Sequence, residues 1–386
     1  MHILILPSWY PINENEIHGI FFREQANALG KVHEVGLIYP YFISLNNIFK
    51  FSEIKSNLIA EEQIYFETDV YINFYPKIKK LFLKNWISKG MRLFERYIFK
   101  KGMPDIIHVH SMIPAGMLAL KIKEKYGIPF VLTEHSSRYF LDEKNIDKNC
   151  HKIIKEASYL SAVSGSYADY LQKKTHNNWG IIPNFIHENF FNENIENKNK
   201  EIVFSSISFL NKNKNTIMFL KAIREIKDRI RESEFKQIKF VIAGDGPELV
   251  NLKRYASENF LEDSVDFKGH VSRSEVLKLL SLSTALVLCS QFETFSVICA
   301  EAHAIGKPVI STKCSGPEYF INSNNGFLIN KNDYNELADC ILKFIQNRFL
   351  FDVKEIKRNC RDQFSEEAVI KLITEIFHNI VDSDES

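Results

Sequence analysis

A chain of 386 residues is too long for one ordinary hydrophobic core, so two domains are expected. With 45% hydrophobic and 25% charged residues it is neither fibrous nor disordered, and 49 basic against 48 acidic groups (net +1) give no global reason to bind nucleic acid. The six cysteines, Cys150, Cys289, Cys299, Cys314, Cys340 and Cys360, show no CxxC pair or zinc-type spacing and read as buried free thiols of a reducing compartment.

From the N-terminus, the apolar run 3–6 has a strand's length and is closed by Pro7. It lacks the basic start and cleavage site of a signal peptide, and no later run reaches the roughly 20 apolar residues that span a bilayer, so a cytoplasmic location is expected. Gly19 lacks a Cβ and offers either a close backbone approach to a sugar or phosphate, or a plain turn. Further apolar runs at 34–39, 106–109, 130–133 and 159–163 alternate with amphipathic stretches. Between them, segment 77–101, opened by Lys77 and closed by Lys101, carries nine Lys or Arg and one acid, Glu95, interleaved with Phe82, Trp86 and Phe94. It fits an interfacial amphipathic helix on an anionic membrane, or a surface helix with a solvated basic face. His108 and His110 alternate on a strand and share one face; with no third ligand at a convincing spacing, packing is the expected role. Thr133-Glu134-His135 closes the next strand.

The polar segment 187–200 reads as a linker. Beyond it the rhythm resumes at 202–207, 240–243, 285–289 and 308–311, and is helical from Tyr334 to about Asp382. Strands alternating with helical patterns imply βαβ units, so each half reads as a doubly wound α/β domain with a parallel sheet. The expected division is 1–186, linker 187–200, 201–365, and a C-terminal helix with acidic tail, 366–386, free to pack back on the first domain.

The most informative run is Ser290-Gln291-Phe292-Glu293-Thr294-Phe295-Ser296-Val297, after the strand 285–289. A strand ending in a polar turn and opening a helix near Ser296 presents free backbone N–H groups where a diphosphate can dock. Glu293 in the turn and Glu301 one turn into the helix can face one crevice and accept hydrogen bonds from ribose and hexose hydroxyls. Taken alone, they equally fit a helix-start acid and a solvated face residue.

Glu293 and Glu301, separated by seven residues and followed by Gly306-Lys307-Pro308-Val309, Ser315-Gly316-Pro317-Glu318 and Asn325-Gly326-Phe327-Leu328, resemble glycosyltransferase family 4, the retaining family with the GT-B fold. The resemblance implies two Rossmann-like domains facing a central cleft in an enzyme of bacterial surface-polysaccharide type. It implies that Glu301 holds the donor ribose and Glu293 contacts the transferred sugar. The backbone of Phe295, Ser296 and Val297 would face the diphosphate. The loop ending at Val271 would lie against the base, His135 beside the transferred sugar, and Gly19 in the first loop. Lys214 matches the family's phosphate-contacting lysine. Where the family commonly has arginine this chain has Phe209, which cannot form the bidentate contact of a guanidinium; Lys212 is the nearest substitute.

The expected reaction is hexose transfer from a UDP-sugar, or a GDP-sugar, to a glycan or lipid-linked saccharide with retention. No metal or other cofactor is expected, since the lone Asp-x-Asp triplet is Asp382-Ser383-Asp384 in the tail. A sugar-nucleotide epimerase of the same fold and a non-catalytic sugar-nucleotide binding protein are the alternatives. Peripheral contact with an anionic inner leaflet through residues 77–101 completes the expectation.

Overall fold

Blocks of branched apolar residues bounded by polar turns form strands buried on both faces, which must be covered by helices on each side. The computed structural model describes residues 1–13, 19–56, 58–59, 61–75, 77–141, 146–193, 202–346 and 351–384. Two compact units result, Met1–Phe185 with Val369–Ser386, and Ile186–Ala368.

The N-terminal unit holds a parallel sheet of β1 (His2–Pro7), β2 (Glu34–Ser44), β3 (Tyr65–Asn73), β4 (Ile106–His110), β5 (Phe130–Glu134), β6 (Tyr159–Ala162) and β7 (Gly180–Ile181), in the order β3-β2-β1-β4-β5-β6-β7. The C-terminal unit holds β8 (Ile202–Ile207), β9 (Ile238–Ala243), β10 (Val265–Gly269), β11 (Ala285–Leu288), β12 (Val309–Thr312) and β13 (Gly326–Ile329), in the order β10-β9-β8-β11-β12-β13. In each sheet the winding reverses beside the first strand, between β1 and β4 and between β8 and β11. Chains leaving those neighbouring strands diverge to opposite faces and open a crevice at their carboxyl ends.

Helix Lys79–Lys101 buries Trp86, Gly90, Leu93, Phe94 and Tyr97 against the first sheet. The expected insertion of Trp86 and Phe94 into a membrane is therefore corrected, because both are core residues, 2% and 0% exposed. Phe82 packs on Phe42, ring centroids 5.4 Å apart. The basic residues hold the opposite face.

Within the stretch 187–200, residues Glu188–Asn192 form a short helix whose Phe190 and Phe191 are buried in the C-terminal unit. The apolar pair overrides the polar composition around it; residues 194–200 lie outside the described residues. Helix Glu366–Asp384 places Val369, Ile370, Ile373 and Phe377 in the N-terminal unit's core beside Ile3, Phe22 and Leu37. Residues 385–386 of the acidic tail lie outside the described residues. All six cysteines are free and buried.

Candidate active site

In the C-terminal unit the site grows from the reversal between β8 and β11. The chain leaving β11 is held in place by its own backbone. Gln291 N–H donates to Asn213 O (2.7 Å), Glu293 N–H to Cys314 O (2.8 Å), and Gly316 N–H to Glu293 O (2.8 Å). A Cβ at Gly316 would stand 2.6 Å from the N and Cα of Phe295, so only glycine lets the two loops meet.

Lys214, on the loop after β8, reaches across the reversal. Its Nζ lies 2.5 Å from Glu293 Oε1, and Ser290 Oγ donates to the same oxygen at 2.5 Å. The side chains are 22% and 12% exposed. Burial works against the lysine's charge, but Glu293's charge and hydrogen bond outweigh it and lift the pKa above its ordinary 10.5. Lys214 is thus a fixed cation held by a carboxylate.

Helix Val297–Ile305 opens at Ser296, which sits at φ +74° and makes no side-chain cap. Its hydroxyl bonds Cys299 Sγ instead (3.3 Å). The amides of Val297 and Ile298 donate to no acceptor among the described residues, so this helix start points bare donors and the positive end of its dipole outward. Phe295 contributes only backbone there, since its ring is packed between Phe320 and Phe364, centroids 5.6 and 5.2 Å away.

Glu301 is the fifth residue of that helix and is 6% exposed, which excludes a solvated face residue. Arg273 Nη2 stands 3.5 Å from its Oε1. Arg273 opens helix Arg273–Leu282 behind the capping box of Ser272 and Glu275, two residues after the half-buried Val271. Phe209 is 61% exposed, and Lys212 is exposed and unpaired among the described residues. The loop carrying Phe209 is pressed onto the turn after β9, where a Cβ at Gly244 (φ +136°) would lie 1.8 Å from Ser208 O.

In the N-terminal unit, Gly19 at φ +89° opens helix Ile20–Gly30. His135, just past β5, is 8% exposed between Phe21 and Phe22, ring centroids 5.3 and 4.7 Å away. Its Nε2 is 3.1 Å from His110 Nδ1, and burial holds both imidazoles neutral, far below the usual histidine pKa. His108 bonds Thr133 Oγ1 at 2.8 Å and is likewise depressed by burial, to about 3. Glu134 accepts from the amides of Met112, His135 and Ser136 at 2.7 to 2.9 Å, fixing the turn that carries His135.

Residues 55–190 match the family described as Glycosyltransferase Family 4, and residues 187–368 match Glycosyl transferases group 1, so that the two together span 55–368. This chain is a glycosyltransferase of the family 4 type. A Campylobacter jejuni relative, GalNAc-alpha-(1->4)-GalNAc-alpha-(1->3)-diNAcBac-PP-undecaprenol alpha-1,4-N-acetyl-D-galactosaminyltransferase, is 28% identical over 368 residues, covering 91% of this glycosyltransferase and 93% of its own chain. Among solved structures, a sucrose-phosphate synthase from Thermosynechococcus elongatus superposes with TM-score 0.77 at 18% identity, over 99% of each chain. Anabaena HepE in complex with UDP and glucose gives 0.70 at 16% identity, over 98% of this chain and 100% of its own. These likenesses establish the GT-B fold for the glycosyltransferase.

Sequence reading missed Arg273 and gave Ser290, the first residue of its most informative run, no role of its own. The sole signal for Arg273 was the Ser272-x-x-Glu275 capping pattern, which places it at a helix start. Ser290 had only its position in the turn just past β11. Among the described residues no cluster of three or more His, Cys, Asp or Glu is placed to hold a metal ion, and no helix is long and apolar enough to cross a membrane.

Proposed function

We propose that this glycosyltransferase transfers a hexose from a UDP-sugar, with GDP-sugars as the second donor class, to a glycan or lipid-linked saccharide with retention at the anomeric carbon. The carrying observation is the Lys214–Glu293–Ser290 cluster, which lies on the loops flanking the uncapped start of helix Val297–Ile305. A fixed cation and bare amides suit a diphosphate leaving group. Glu301, buried next to Arg273, suits a ribose diol, and Glu293, Gly19 and His135 are assigned to the transferred sugar. The bond from the anomeric carbon to the diphosphate oxygen breaks, the bond to the acceptor oxygen forms, and the acceptor proton passes to the departing phosphate. Lys214 and the helix start stabilise the charge growing on that phosphate, so the protein supplies position and electrostatics rather than a nucleophile. Resting charge on the Lys214 ammonium is partly committed to Glu293, and Phe209 adds none, so the amides of Val297 and Ile298 carry more of the diphosphate than in relatives with arginine there. No metal takes part in this scheme.

Two similar proteins support the reading, HepE in complex with UDP and glucose and the Campylobacter transferase named for an undecaprenol-linked substrate. The exposed basic face of helix Lys79–Lys101 supports salt-sensitive contact with an anionic membrane on which a lipid-linked acceptor resides. The test is a thermal-shift screen against UDP- and GDP-sugars, since a ligand that binds only the folded state raises the melting temperature, followed by product analysis with lipid-linked saccharides. UDP-sugars are expected to stabilise the protein, and transfer is expected to survive EDTA. Absence of stabilisation by every nucleotide sugar, or activity lost to EDTA and restored by Mg²⁺ or Mn²⁺, overturns the corresponding part.

A further inference from the structure

The N-terminal unit carries a helical segment with no fully buried residue. After β2, residues Leu45–Lys50 form a 3₁₀ helix and Phe51–Ser56 an α-helix, and no residue of either is buried although the pair contains Leu45, Ile48, Phe49, Phe51 and Ile54. A short helix in water draws its stability from packing of its apolar side; here only Phe51 and Ile54 are half-buried, where the segment meets β3, while Leu45, Ile48 and Phe49 stay exposed. Phe49 is 98% exposed.

The same corner collects more apolar surface from a second direction. Strands β2 and β3 are paired in register to Ser44 and Asn73, so the chain leaves both at one end. There Phe74, Tyr75, Ile78 and Leu81 are all exposed, between 40% and 59%. The first turn of helix Lys79–Lys101 is fixed beside them by the contact of Phe82 with Phe42. The same segments carry Lys50, Lys77, Lys79, Lys80 and Lys84, all exposed and none in an ion pair among the described residues. Glu53 is the acid within the helical segment.

We propose that this corner is the membrane-docking element, with Ile48, Phe49, Phe74, Tyr75, Ile78 and Leu81 entering the headgroup region of an anionic bilayer and the lysines pairing with lipid phosphates. Exposed apolar side chains gathered at one end of β2 and β3, with unpaired lysines on the same segments, match the two halves of such an interface, its apolar interior and its negative surface. It differs from an amphipathic helix lying flat, because the apolar face of Lys79–Lys101 is already used by the sheet. The proposal deepens the lipid-linked acceptor reading and rests on it for its purpose alone. Its physics is separate from catalysis, as none of these residues belongs to the candidate active site.

The experiment is co-sedimentation of the full chain with vesicles of phosphatidylglycerol and phosphatidylcholine, run beside nucleotide-sugar thermal shifts on the same preparations. Wild type is expected to bind anionic vesicles at least about tenfold better than pure phosphatidylcholine ones, and to keep a remnant of binding at high salt. Combined Phe49→Ser, Phe74→Ser and Ile78→Ser should abolish that remnant while leaving the donor-induced thermal shift unchanged. Lys79→Glu with Lys80→Glu should remove the preference for anionic lipid. Wild type remaining in the supernatant with anionic vesicles at low salt overturns the proposal. So does a triple variant that binds like wild type, or a patch shown by sedimentation equilibrium to be covered by a second copy of the chain. Vesicle binding without any donor-induced shift would instead sink the catalytic reading and leave the surface standing.

Discussion

Lys214 and Glu293 are 2.5 Å apart with little of either side chain in water, so each determines what the other can do. Lys214→Ala removes a cation aimed at charge that grows in the transition state and is expected to lower turnover about a hundredfold or more. Because the folded state holds the lysine's proton more tightly than the unfolded chain, the pair's stabilisation is complete below the unfolded pKa and is lost only as pH rises through the higher folded value. The melting-temperature gap between wild type and Lys214→Met should therefore stay flat from about pH 7 to 9; a gap closing within that window would show the lysine losing its proton well below its ordinary value and overturn the assignment of a fixed cation. Glu301→Ala removes a buried charged acceptor and should weaken nucleotide-sugar binding by about 1.5 to 3 kcal/mol in titration calorimetry. Glu293→Gln is expected to lower turnover more than donor affinity. The two glutamates were legible because their spacing around a strand-turn-helix is local. Arg273 was not, since its approach to Glu301 spans 28 positions of chain and is made by tertiary folding.

Elements divide along the same line. The sequence rhythm located β1, β2, β4, β5 and β6 in the first sheet and β8, β9, β11 and β12 in the second, whereas β3, β7, β10 and β13 passed unread or as turns. Those four are the edge strands of the two sheets. A strand covered on both faces is buried along its length and opens on an apolar run, as β4 and β5 do, but an edge strand is half wet and mixes residue types, as in Val265–Gly269. Helix Lys79–Lys101 shows the converse difficulty. Its composition advertised a membrane face, yet burial of one stripe reserves Trp86 and Phe94 for the sheet. Trp86→Ala should destabilise the N-terminal unit by about 3 to 5 kcal/mol in thermal or denaturant unfolding. Lys84→Glu on the exposed face should change stability by about half a kcal/mol or less. Equal effects of the two would contradict the assignment of faces.

At the scale of the molecule, the chain passes from one unit to the other after Phe185 and returns after Ala368. The returning helix supplies Val369, Ile370, Ile373 and Phe377, each 8% exposed or less, to the core of the first unit. Buried side chains of this size are each worth roughly 2 to 5 kcal/mol, and a domain's whole stability is about 5 to 15. Truncation after Ala368 should therefore unfold the N-terminal unit, seen as rapid proteolysis of residues 1–185 while 186–368 resists; equal resistance of both would mean the helix is dispensable. The same connection sets a timetable for synthesis. Residues 186–368 are contiguous and possess their whole core as soon as Ala368 clears the ribosome. The unit made first has to wait for residues 369–384, roughly ten to forty seconds after its own strand β7 has emerged at ordinary elongation rates. For that interval the nascent chain presents the unfilled seat of Phe377 and its neighbours to solvent, an apolar surface that only its own last helix closes.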